Sequence, residues 1–224
     1  MVYHLAFFKD ERQVLKIYST LFEVLGPQGW WPHPTRFGKI VGALLAPAVK
    51  WGNVVRAIDN LEKAGIDNFP ALRELDVKLL EEYIRPTIYY RKKAQALKAM
   101  ANKEELLEIK GSLLLREEFL SLPNVGRETA DSLLLYAWDY PIMVVDAYTK
   151  RILYRLGYLP QEKIDYDLVQ QLIESKLPKD LSTYQEYHAL LVRLGELYCK
   201  KMPLCKDCPI NKDCQKIHLK LVEG

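Results

Sequence analysis

The sequence predicts an all-α fold built from many short helices. Three observations carry that expectation. Apolar residues recur at three- and four-residue steps almost throughout, alternating runs long enough for strands are missing, and the interruptions fall where proline, glycine and asparagine gather.

Residues 14–25 begin the series, with Val14, Leu15, Ile17, Tyr18, Leu21, Phe22 and Leu25 on the helical period and Gly26 ending the run. Residues 35–45 repeat the pattern through Phe37, Ile40, Val41, Leu44 and Leu45, and residues 51–61 through Val54, Val55, Ile58 and Leu61. Further helices are expected at about 76–84, 90–100, 103–109, 112–120, 127–138, 147–156, 166–176 and 183–198. The nearest approach to a strand is "IMVV" at 142–145, too short to tell a strand from a buried helix segment. No internal repeat and no low-complexity segment is found.

A chain of 224 residues suits one domain, or two small lobes sharing a core. With 49% apolar and 27% charged residues it has the composition of a soluble globular protein. No stretch has the apolar length needed to cross a bilayer. The opening "MVYHLAFFKDERQ" reaches charged residues too early for a signal peptide, and the expected location is cytoplasmic. The net charge of +3 says little about partners, but its distribution says more. "RPTIYYRKKAQALKAM" at 85–100 holds Arg85, Arg91, Lys92, Lys93 and Lys98 without an acid, and six lysines face two aspartates over 199–220. Two basic islands suit a one-sided polyanion surface, although solvated helix faces would give the same pattern.

All four cysteines fall in "YCKKMPLCKDCPINKDC", as Cys199, Cys205, Cys208 and Cys214, spaced C-x5-C-x2-C-x5-C directly after a helix. A reducing cytoplasm argues against two disulfides, so the reading is metal. Zinc and iron–sulfur both accept four thiolates. Structural zinc usually takes two separate C-x-x-C knuckles. One C-x-x-C flanked by single cysteines wraps better around a cubane, which puts [4Fe–4S] ahead of zinc.

In "LPNVG" at 122–126 a proline stops one helix, and Asn124 and Gly126 are the residues that accept positive φ. Such a turn aims the first amides of the next helix, from about Arg127, at an anion such as a phosphate oxygen. Because it would hold backbone, it would bind nucleic acid without reading sequence. Asp146, before "AYTKRIL", reads first as a helix N-cap. It also offers a carboxylate to a reaction that builds positive charge, where it stabilises that charge and directs water.

"LPNVGRETA", then "VVDAYTKR", then the four-cysteine loop resemble, in that order, the helix-hairpin-helix DNA glycosylases of the endonuclease III superfamily over roughly residues 30–215. The resemblance implies two helical lobes with a DNA-binding cleft between them: a helical barrel with the hairpin over 35–142, and a second lobe from 1–34 and 143–224 carrying the cysteines. It implies hydrolysis of an N-glycosidic bond after base flipping, as base excision repair requires, by a monomer acting on damaged duplex DNA with no membrane partner. Asp146 would stabilise the sugar. Leu122, Asn124, Val125, Gly126 and Arg127 would form the phosphate-holding hairpin. Tyr89 aligns with a residue that enters the duplex, with Arg91, Lys92 and Lys93 holding the strand beside it.

The departures from the family pattern are informative. Its hairpin usually reads L-P-G-V-G, and Asn124 replaces the first glycine; its first cysteine gap is usually six residues, and here it is five. Where many relatives carry a gap-filling polar stretch, this chain has Ala46, Pro47, Ala48 and Val49. Bifunctional members place a Schiff-base lysine where this chain has Glu128, and a carboxylate cannot form that imine. The expectation is therefore a monofunctional glycosylase, with Lys150, one turn past Asp146, facing phosphate or solvent. Trp30, Trp31 and Trp51 suggest an aromatic slot for a cationic alkylated base, with Tyr148 and Glu128 lining or positioning, though ordinary packing competes. The W-W-P stretch, Lys50 before Trp51, and V-V-D-x-Y resemble the 3-methyladenine glycosylase branch. The rival readings are an oxidised-pyrimidine glycosylase with AP lyase activity, and a module that binds lesions without cutting.

Overall fold

The computed structural model describes residues 11–31 and 33–217; the opening "MVYHLAFFKD" and Lys220 lie outside the described residues. Those residues form α-helices joined by loops and two short 3-10 turns, and no β-strand occurs among them. No described helix is long and apolar enough to cross a membrane. The chain divides into two compact units, Met1–Trp30 with Pro141–Gly224, and Trp31–Tyr140.

Helix α1 (Glu11–Leu25) opens the described chain and belongs to the first unit. The unit Trp31–Tyr140 holds α2 (Arg36–Leu45), α3 (Trp51–Lys63), α4 (Phe69–Glu74), α5 (Val77–Tyr83), α6 (Tyr90–Ala101), α7 (Ser112–Ser121) and α8 (Arg127–Ala137). Its centre is α8, buried without a break from Thr129 to Ala137 and packed on α2, which buries seven of its own residues from Gly38 to Leu45. Among the polar members of the buried run, Asp131 accepts from Arg116 and Ser132 donates to the Glu128 carbonyl. Around this pair, α3 and α6 pack on α2, and α4 and α5 pack on α6. Side-chain caps start several of these helices: Thr35 Oγ1 accepts from the Gly38 amide at 3.1 Å and Asn68 Oδ1 from the Ala71 amide at 2.9 Å.

In the other unit, α9 (Ala147–Leu156) and α1 both pack on α11 (Leu181–Leu197), and α10 (Tyr166–Glu174) lies between α9 and α11 in sequence. The four-cysteine loop follows α11.

Two expectations about elements change. The helix expected at 103–109 is a 3-10 turn, Glu104–Leu107, closed by bonds from Leu106 N to Lys103 O (3.0 Å) and Glu108 N to Glu105 O (3.1 Å). A stretch this short closes the tighter ring without the length that α-helix nucleation needs. Helix α4 was not signalled by periodicity, because six residues complete fewer than two turns; its cue is the Asn68 cap with proline in the first turn.

The "IMVV" segment is neither helix nor strand, with Met143, Val144 and Val145 buried and Ile142 half-buried. Side chains of α10 satisfy its backbone instead. Glu174 Oε1 accepts from the Met143 amide (2.7 Å), Gln170 Nε2 donates to the Met143 carbonyl (2.7 Å), and Tyr166 Oη accepts from the Val145 amide (3.2 Å). This holds the chain taut up to Asp146.

Candidate functional site

The hairpin lies in the Trp31–Tyr140 unit, between α7 and α8. The two helices are pinned together by Arg116, whose Nε and Nη2 donate to Asp131 Oδ1 (2.6 Å) and Oδ2 (3.1 Å), with Asp131 fully buried. At the turn Leu122 and Val125 are buried, so they anchor the hairpin and can meet a ligand only through their backbone. Asn124, Gly126 and Arg127 are exposed. The positive φ falls on Asn124 alone (φ 61). Gly126 is extended (φ −102, ψ −179), so its glycine identity is not a matter of backbone conformation. A Cβ added there would meet nothing within 4 Å, which leaves the backbone open to close approach. Gly126 supplies no side-chain cap, and the first helical bond of α8 runs from Ala130 N to Gly126 O at 2.9 Å.

Beside it stands the start of α6. Tyr89 is the N-cap residue, in the left-handed region (φ 58, ψ 28) and 67% exposed. A bulky aromatic held there is unusual enough to call for a reason. Arg91 and Lys92 are exposed, with Arg91 near Glu81 (3.7 Å). Lys93 is not part of that basic face. It is buried, its Nζ donating to the carbonyls of Leu45 (2.8 Å) and Pro47 (3.0 Å), and burial pulls its pKa down to about 8. It closes the carbonyl end of α2 rather than meeting a strand.

Asp146 lies in the other unit, at the head of α9. Its Oδ1 accepts from the amide and the hydroxyl of Thr149, both at 2.7 Å. Its Oδ2 faces His188 Nε2 of α11 at 3.9 Å. The carboxylate side chain is 12% exposed and the imidazole 6%. Burial pushes the His188 pKa below its ordinary value, with the Asp146 charge opposing. Burial thus disfavours the imidazolium, and the ion pairs of the described residues give Asp146 no lysine or arginine. The positive end of the α9 dipole supports the anion in their place. Lys150, half-buried, donates its Nζ to the Ile164 carbonyl (2.9 Å) and lies 5.8 Å from the Tyr166 ring centre.

Sequence reading missed His188. In "YHALL" a lone histidine on an apolar helix reads as core, and nothing local marks its approach to a residue on another helix.

The aromatic residues separate by unit. Trp31, Trp51 and Tyr136 cluster in the Trp31–Tyr140 unit, Trp31 lying edge-on to Trp51 (4.7 Å between ring centres) and 4.6 Å from Tyr136. Trp31 is buried against α2, where a Cβ on Gly42 would stand 2.8 Å from its Nε1. Trp30 and Tyr148 belong to the other unit, Tyr148 packed at Gly195 with the Arg151 guanidinium 4.9 Å from its ring centre. Burial raises the Tyr148 pKa, with Glu196 adding to the rise. Glu128, half-buried, sits in the first turn of α8.

The four cysteines border one small cavity of about 20 Å3 together with Ile152, Leu194 and Ile210. Among the described residues no three His, Cys, Asp or Glu side chains are arranged around a single ion. Arg155 braces the loop, donating to Cys199 Sγ (3.4 Å) and to the Lys200 carbonyl (2.6 Å), while Arg151 Nε donates to the Cys199 carbonyl (2.9 Å). Burial pushes the Cys208 thiol up to about 11 and raises Cys214, and the amides of Ile210 and Lys216 pull each the other way. A bound cation would have to displace those protons.

The profile of HhH-GPD superfamily base excision DNA repair proteins matches residues 41–179. A Methanocaldococcus jannaschii protein provisionally named a DNA repair glycosylase is 44% identical, the match covering 90% of this chain and 95% of that protein. Among solved structures, the H. pylori 3-methyladenine DNA glycosylase MagIII bound to 1,N6-ethenoadenine is 26% identical with a TM-score of 0.71, covering 84% of this chain and 97% of that one. A non-covalent endonuclease III–DNA complex superposes with a TM-score of 0.79 at 20% identity over 95% of this chain and 98% of that one, a likeness of fold.

Proposed function

The chain belongs to the HhH-GPD superfamily of base excision DNA repair proteins, and from that premise we propose that it is a monofunctional DNA N-glycosylase releasing alkylated purines from duplex DNA. The observation that carries the reading is the state of Asp146. One oxygen is committed to the α9 cap and the other faces an imidazole whose charged form burial disfavours, and among the described residues no lysine or arginine is paired with the anion. A carboxylate so placed stabilises positive charge on a substrate.

In this reading the hairpin at 122–127 holds a DNA phosphate by its backbone, with Arg127 beside it. Tyr89 enters the duplex at the extruded nucleotide, and Arg91 and Lys92 hold the strand. As the bond from C1′ to the base nitrogen breaks, its electron pair leaves with the base and the sugar becomes an oxocarbenium ion next to Asp146. Water then adds to C1′, and the carboxylate orients it and takes its proton. An alkylated purine is cationic and departs readily. The half-buried Trp51, with Trp31 packed edge-on beside it, suits such a base by cation–π attraction, and the likeness to MagIII supports that substrate class. Trp30, Tyr148 and Glu128 are the further candidates for lining or positioning. Glu128 occupies the place of the imine-forming lysine, and the Lys150 amine is engaged with a carbonyl; both support water as the nucleophile.

Four thiolates spread around one pocket suit a [4Fe–4S] cluster, with zinc as the alternative. Cys199, Cys205, Cys208 and Cys214 would hold it, and when bound it would fix the shape of this lysine-rich loop. No step of base release is assigned to it.

The test is Asp146→Asn. Asparagine caps a helix as well as aspartate, so the folded stability should change by less than about 0.5 kcal/mol. Base release from duplexes carrying an alkylated purine should fall about 10²–10⁴-fold. Wild-type product should break only after alkali. Base release that survives the substitution removes the case for Asp146, and a covalent adduct trapped by borohydride removes the case for a monofunctional enzyme.

A further inference from the structure

Asn124 stands where the family hairpin usually has glycine, and its side chain leaves the hairpin. Its Nδ2 donates to the Lys92 carbonyl (3.3 Å) and to Gln95 Oε1 (3.0 Å), both on α6. A glycine would satisfy the turn's φ of 61 equally well, so the backbone does not explain the asparagine. What glycine cannot supply is the link to α6, whose N-cap residue is Tyr89. On the opposite side the same first turn is fixed by Lys93 Nζ on the carbonyls of Leu45 and Pro47. The turn below Tyr89 is thus held from the core by one side chain and from the hairpin by another. Its backbone is in the left-handed region, where it needs that support.

The geometry points to Asn124 as a positioning residue that couples the phosphate-holding hairpin to the helix presenting Tyr89, so that seating of the hairpin sets where Tyr89 enters the duplex. The inference rests on the assignment of Tyr89 as the inserted residue in the proposed function. Its range is short: three side chains, Asn124, Gln95 and Lys93, carry it, all within the Trp31–Tyr140 unit.

The probe is a duplex carrying a tetrahydrofuran abasic analogue beside 2-aminopurine, whose fluorescence rises when a side chain unstacks it. Affinity and fluorescence rise at saturation are read on the same duplex. Asn124→Gly, which keeps the turn, and Gln95→Ala, on an exposed helix face, should each lower the fluorescence rise about three- to tenfold, the scale of one or two lost neutral hydrogen bonds. The affinity of Gln95→Ala should change by less than about twofold, and the double variant should be no worse than Asn124→Gly alone, which already removes the bond to Gln95. Amide exchange in the first turn of α6 should quicken in both free variants. A full fluorescence rise in both variants, with Tyr89→Ala losing it, overturns the coupling and leaves Tyr89 in its role. A full rise in Tyr89→Ala itself overturns the assignment of Tyr89, and the coupling with it.

Discussion

At Asp146 the capping oxygen lies 2.7 Å from both Thr149 donors while the other faces His188 at 3.9 Å. The first contact is local, three residues along the chain, and the N-cap was readable from Asp146 preceding "AYTKRIL". The second joins α9 to α11 and has no local signature. It has a measurable consequence. The folded pKa of His188 lies below the unfolded value of about 6.5 because burial disfavours the imidazolium. The unfolded chain therefore binds the proton first as pH falls. The stability contributed by the neutral ring is full above about pH 6.5 and is lost on descending from there through the folded pKa. Thermal unfolding at about pH 7.5 and about pH 5.5 should show a larger fall in midpoint for wild type than for His188→Gln. Equal falls would show that this ring does not titrate against burial.

Among the elements, α6 shows how far a periodic pattern reaches. Its limits were legible, the expected 90–100 agreeing with Tyr90–Ala101 to within a residue. The direction of its lysines was not. Lys92 and Lys93 are neighbours in one basic run, yet the first is exposed and the second is buried on the Leu45 and Pro47 carbonyls. A charge run names the residues and leaves open which one a neighbouring helix end will capture. Lys93→Met should lower folding stability by about 1–3 kcal/mol in denaturant unfolding, because it orphans buried carbonyls. The slope of log affinity against log salt for duplex DNA should stay unchanged, whereas loss of a true phosphate contact would reduce it by about 0.9. The "IMVV" segment teaches the same point from the backbone side: its apolar run forecast burial, but only the α10 side chains decide that it needs no sheet.

For the whole molecule, the division into two units separates the candidate residues: the hairpin, Tyr89, Trp31 and Trp51 in one, Asp146, Tyr148 and the cysteines in the other. The cysteine loop offers a test at this scale. Protein purified without air should be brown and carry about four irons and four sulfides per chain, and Cys208→Ser should abolish the colour. A colourless protein with about one zinc would replace the cluster assignment. By itself the sequence determined the helical fold class, the hairpin turn, the Asp146 cap and the cysteine spacing. Each is set within a few residues by backbone torsion, hydrophobic period or ligand reach. Only the tertiary structure decided that His188 faces Asp146, that Lys93 turns inward and that Asn124 is tied to α6. The physical reason is that helical periodicity specifies a face to be buried and not the partner that buries it, and the partner's own groups then decide the charge and orientation of what they meet.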